Sequence, residues 1–256
     1  MPTKSDVKEF KGYLFHEAKR RNVKLEFRKN LNTFGMINPN DKRNNKIILR
    51  DFSSNKHLDI YKYTFFHELG HLRQTKIQSV INHIYVNKFG SFCLKDKGVL
   101  TFISKREMSA LQIIFNCVED AMIDSRLIRD PSMQKLYENF VVKFNTKGKR
   151  AVFHERDYLN HISFMIKLFM TGPRYLNLFT DTFGMKKSYM NKIKIDEFLN
   201  LVKGFDSPSS SSLKNFKLSV KIFGLMQTFG FRDKFKNKAD LSEIKDMHKM
   251  KISKIV

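Results

Sequence analysis

The sequence predicts an α+β fold that is mostly helical, and three observations carry that expectation. Apolar and polar residues alternate only within the first sixty positions, apolar positions recur at helical spacing from Asp59 almost to the end, and 41% of the chain is apolar, enough for a real core. Residues 5–21 place Val7, Phe10, Tyr13, Leu14 and Ala18 on one helical face behind a serine cap. Residues 23–27 alternate as a half-buried strand. Residues 34–37 and 46–50 read as two more, separated by the turn-rich Asn38-Pro39-Asn40-Asp41. Helices follow over 59–75 and 77–89. A glycine-containing bend at 90–98 then leads into a long helix over 103–128, closed by Asp130-Pro131. Further helices are expected at 133–144, 155–171, 193–203, 211–228 and 240–252. Ser207-Pro208-Ser209-Ser210-Ser211-Ser212 reads as a loop that ends in a serine N-cap, since Leu213, Phe216, Val220 and Phe223 follow at helical spacing. The expected organisation is a core over 1–130, a small sheet packed on helices, with a helical bundle over 131–256 in the same domain.

Composition narrows the function. The chain of 256 residues has 13% aromatic residues, which excludes whole-chain disorder. No apolar stretch reaches the ~18–20 residues of a membrane span. The N-terminal residues lack the apolar run of a secretory signal, which predicts a cytoplasmic protein or one packaged in a phage particle made there. Cys93 and Cys117 are too few for a disulfide framework or a four-thiolate zinc site, and read as buried apolar fillers. Forty-eight Lys and Arg against twenty-five Asp and Glu give a net charge of +23. That balance favours polyanions non-specifically, nucleic acid among them. The basic residues are scattered, however, and lysine dominates, as it would in an AT-rich genome.

The chemistry sits in His67-Glu68-Leu69-Gly70-His71, the H-E-x-x-H pattern. On a helix, residues four apart share a face, so both imidazoles can reach one Zn²⁺ at ~2.0–2.1 Å. Glu68 is then placed as general base for a water activated by the metal. Tyr63, Phe65, Phe66 and Leu69 make the helix a core element. Gly70, which costs helix propensity, suits a close approach by another element. The strand at 46–50 is expected to hold a peptide substrate along Ile47–Leu49 by antiparallel main-chain pairing.

A third zinc ligand is needed. The long helix offers Glu119, whose helical neighbours Phe115, Met122 and Ile123 are apolar, with Asn116 and Asp120 as partners that orient the histidines. Glu107 is the competing third ligand. Tyr158 and His161, one helical face together with His154, are candidate donors to a transition-state oxyanion. The ordinary end of an amphipathic helix accounts for them better.

These strings resemble the gluzincin-like metallopeptidase domains of phage and bacterial genomes that occur beside von Willebrand A domains and are related to a cobaltochelatase subunit. Those show H-E-x-x-H and, on a later helix, N-x-x-E-D-x-R-I-E. Asn116, Glu119, Asp120 and Ile123 match the second pattern, while Met122 stands in place of Arg and Asp124 in place of Glu. The resemblance spans roughly residues 20–130. It implies a zinc hydrolase with His67, His71 and Glu119 as ligands and Glu68 as general base. The stretch from Tyr63 to His71 also resembles the small metallopeptidases that cleave phage repressors. The expected function is hydrolysis of a protein or peptide substrate. The alternative is a structural or nucleic-acid-associated protein, such as a virion component, that keeps the fold without proteolysis.

Overall fold

A computed structural model describes residues 4–31, 33–37, 45–52, 58–75, 80, 84–86, 92–96, 99–103, 105–139, 158–183, 195–205 and 207–228. Among these the chain is mostly helical with two small sheets, an α+β architecture. It divides into two compact units, Met1–Thr75 with Ile123–Gly148, and Lys76–Met122 with Lys149–Val256. The expected boundary lay at residue 130. Of the described residues, 131–139 fall in the unit with the N-terminal sheet and 105–122 in the unit with the C-terminal helices.

In the first unit, helix α1 (Lys4–Arg20) buries Val7, Leu14 and Ala18. It stops where Asn22 adopts a left-handed φ of 55° and the Val23 amide donates to the Ala18 carbonyl at 2.9 Å. Asparagine tolerates that conformation, which turns the chain directly into a strand. Strands β1 (Lys24–Arg28), β2 (Gly35–Ile37) and β3 (Lys46–Arg50) form a sheet in the order β1-β3-β2. β1 runs parallel to β3 with Leu25 opposite Ile47, and β2 antiparallel with Gly35 opposite Leu49. β3 is therefore the central strand, not an edge. Both sides of its main chain are taken, so no substrate can pair along Ile47–Leu49. The consecutive burial of Ile47, Ile48 and Leu49 is what a central strand requires. Helix α2 (Leu58–Gln74) packs on β2 and β3, and its Tyr61, Phe65 and Leu69 join Leu14, Ile47, Leu49 and Phe52 in one core.

In the second unit, β4 (Ile84–Val86), β5 (Phe92–Asp96) and β6 (Val99–Ile103) form an antiparallel meander. It replaces the end of the helix expected at 77–89 and the bend at 90–98. Short apolar runs do not reveal their period, and β-branched and aromatic residues (Ile84, Tyr85 and Val86, then Val99, Thr101, Phe102 and Ile103) decide for strand. Helix α3 (Lys105–Leu127) runs unbroken through both units, with its residues from Ile123 onward in the first.

Helix α4 (Pro131–Glu138) belongs to the first unit and packs on α2. Asp130 caps it by accepting the Ser132 amide at 2.8 Å, and Pro131 stands at its first position. In the second unit follow α5 (Tyr158–Thr171), α6 (Pro173–Phe183), α7 (Ile195–Val202) and α8 (Ser212–Thr228). α6 had no counterpart in the sequence expectation, because Gly172-Pro173 breaks one helix and the same proline starts the next. α8 opens as expected, with Ser211 Oγ accepting the Lys214 amide at 3.5 Å. The helix expected at 240–252 lies outside the described residues.

Candidate metal centre

Tyr63, His67, His71 and Thr75 recur every fourth residue from α2 onward, so one helix face carries the whole series. The neighbouring stripe holds Thr64 and Glu68. Helix α3 approaches α2 closely at Gly70, where a Cβ would lie 2.5 Å from Ile123 Cγ2. Glycine is therefore required for the helices to meet, as the sequence suggested.

The imidazoles are held from behind. Asp124, fully buried, accepts the His67 Nδ1–H at 2.7 Å and the Tyr63 hydroxyl at 2.5 Å, both on Oδ1. A carboxylate only accepts, so the proton of His67 sits on Nδ1. His71 Nδ1 is hydrogen-bonded to Thr75 Oγ1 at 3.0 Å, and the hydroxyl can accept the ring proton. The two Nε2 atoms lie 3.1 Å apart, and where both Nδ1 atoms carry the ring proton both Nε2 lone pairs face the same point. In that tautomer the lone pairs repel unless a cation lies between them. Two nitrogens on a tetrahedral zinc at ~2.05 Å would stand roughly 3.3 Å apart. The pair is spaced for a shared ion.

One helical turn before Asp124, on the same unbroken helix, stands Asp120. His67, His71 and Asp120 each bring a ligand atom within 4.8 Å of the others, a group that can hold a metal ion. Asp120 Oδ2 also accepts from Lys167 Nζ at 3.0 Å.

Glu119, expected as third ligand, is engaged elsewhere. Its carboxylate is 1% exposed and accepts from Ser212 Oγ at 3.0 Å and Asn215 Nδ2 at 2.6 Å, at the start of α8. Adjacent helical residues point about 100° apart, so Glu119 and Asp120 cannot serve the same face, and Asp120 is the one in register with Asp124. Asp120, expected to orient the histidines, instead joins them. Asn116 is exposed, and Asp124 and Thr75 do the orienting. Glu107, the alternative ligand, accepts from Gln227 Nε2 at 2.7 Å. Tyr158 and His161 lie on α5, but their side chains are outside the description, as is His154 altogether. Burial, with a smaller push from the charge of Asp120, raises the Cys117 thiol to about 12. The thiol therefore stays protonated at neutral pH.

Sequence reasoning gave no part in the site to Tyr63, Thr75 or Asp124, which the hydrogen bonds tie to the two imidazoles. A signal existed, since the four-residue spacing extends the His67–His71 pair to Tyr63 and Thr75, and joins Asp120 to Asp124. Comparison with family models, with curated proteins and with solved structures finds no match.

Proposed function

We propose that this protein is a zinc-dependent peptidase. The observation that carries the reading is the pair of Nε2 atoms converging at 3.1 Å with both Nδ1 atoms held by Asp124 and Thr75. Two nitrogens and one carboxylate suit zinc and leave a coordination position open. His67, His71 and Asp120 hold the ion, Asp124 and Thr75 fix the rings, and Glu68 takes the proton of the attacking water and returns it to the leaving amine. When bound, zinc polarises the scissile carbonyl and lowers the pKa of a water towards ~7.

The substrate lies on β2 rather than β3. β2 pairs only with β3 among the described residues and consists of the uncharged Gly35, Met36 and Ile37. It also packs beside Glu68. The other edge strand, β1, carries the Glu26 carboxylate paired with Arg28 and Lys46, a charged edge that discourages strand addition.

The test is zinc content and turnover in Glu68→Gln. Zinc near one per chain should persist while cleavage of a diverse peptide library falls by ~10²-fold or more. Equal cleavage by wild type and variant would sink the peptidase. Zinc without cleavage, together with salt-sensitive binding to DNA, would favour a non-catalytic, nucleic-acid-associated protein, the reading that the +23 charge supports.

A further inference from the structure

Gly35 occupies a tighter place than a three-residue strand needs. A Cβ there would lie 2.5 Å from Thr64 Cγ2, 3.0 Å from Leu49 Cδ2 and 3.1 Å from Glu68 Cγ. The backbone at Gly35 is an ordinary strand pairing with Leu49, so conformation does not call for glycine. Close approach does. Thr64 and Glu68 stand one turn apart on α2, and the main chain of β2 is pressed against that stripe.

A glutamate has three side-chain torsions, and the first, about Cα–Cβ, swings Cγ and with it the carboxylate. A wall at Cγ removes part of that freedom. We propose that Gly35 is a positioning residue for Glu68: its missing side chain lets β2 brace the stem of the general base. This inference rests on the peptidase reading for the meaning of Glu68. It has a consequence for geometry. The strand that braces the base is also the one whose other edge has no partner among the described residues, so a peptide added there lies beside the carboxylate it must meet. Base and substrate share one reference surface, and an error in one is not compounded by the other.

The test separates bracing from folding. In G35A/T64S the serine lacks the Cγ2 that the new methyl would strike, and Leu49 Cδ2 is the far end of a flexible side chain. The contact with Glu68 remains as the disturbance. The wild type should show a nuclear Overhauser effect between Gly35 Hα and Glu68 Hγ, which needs no variant. The double variant should take up zinc with wild-type stoichiometry and affinity, change the Glu68 side-chain couplings, and lose roughly 10- to 100-fold in kcat at nearly constant KM. Absence of the Overhauser contact, or a double variant with wild-type couplings and kcat, would overturn the proposal. If the wild type binds zinc but cleaves nothing, the peptidase reading fails, while the contact and couplings still decide whether β2 braces Glu68.

Discussion

A carboxylate with no exposed surface is tolerated only where donors meet it, and the two buried acids of α3 are met in different ways. Asp124 takes Tyr63 and His67 on one oxygen, while Glu119 takes Ser212 on one oxygen and Asn215 on the other. The first arrangement orients an imidazole and the second fastens two helices of the second unit. Their variants should therefore fail differently. On the proposed reading Asp120→Asn removes a charged ligand, and zinc titration should show binding lost or weakened well beyond tenfold with the fold kept. Glu119→Ala leaves two buried donors unsatisfied, each costing about 1–3 kcal/mol. Chemical denaturation should register that loss while zinc affinity stays near the wild-type value. The reverse pattern would return Glu119 to the metal. Asp124→Asn loses the ionised acceptor behind His67. Partners of this kind are worth 10- to 100-fold in metal affinity, and isothermal titration with zinc measures it.

Helix α2 shows which parts of an element are legible from sequence. Its extent, its apolar body and the purpose of Gly70 follow from spacing and composition, because each depends on residues within one turn or two. Which acid of Glu119-Asp120 faces the histidines does not, since the pattern offers a ligand at either position. The choice depends on where Ser212 and Asn215 come to lie, some ninety residues later. β3 was misread for the same reason. A strand of Ile47-Ile48-Leu49 suits an edge or a centre equally until its neighbours are known, and the β4–β6 meander was hidden because short apolar runs fit either period. Gly70 allows a sharp test of packing against propensity. In a helix interior Gly→Ala ordinarily stabilises by up to about 1 kcal/mol. Here the new methyl would sit 2.5 Å from Ile123 Cγ2. Gly70→Ala should therefore destabilise, by about 1–3 kcal/mol as overpacking does, and urea midpoints give the sign. A stabilised variant would show that the two helices stand further apart.

Over the whole molecule, charge and, on the proposed reading, a bound metal govern stability in different pH ranges. At +23 every further proton adds to self-repulsion. Arg28 and Lys46 hold the Glu26 carboxyl down at about 2, and Lys11, 2.5 Å from Asp51, lowers that carboxyl as well. A folded pKa below the unfolded one means stability present above the unfolded value and lost as pH falls through the folded one. Metal-free protein should thus lose stability from about pH 4.5 downward, with the Glu26 contribution fading towards pH 2 and shrinking in high salt, because that group is exposed. The proposed zinc would act at higher pH, since its ligands must be free of protons. At a hundred times its dissociation constant, an ion that binds only the folded chain adds about 2.7 kcal/mol. For a protein of this size that corresponds to a rise of roughly 5–10 °C in Tm. Scanning calorimetry at pH 7.5 with zinc and then with chelator should show the rise and its reversal, and Asp120→Asn should show neither. A chelator-insensitive Tm in protein shown to contain zinc would mean that the ion sits somewhere other than between His67 and His71.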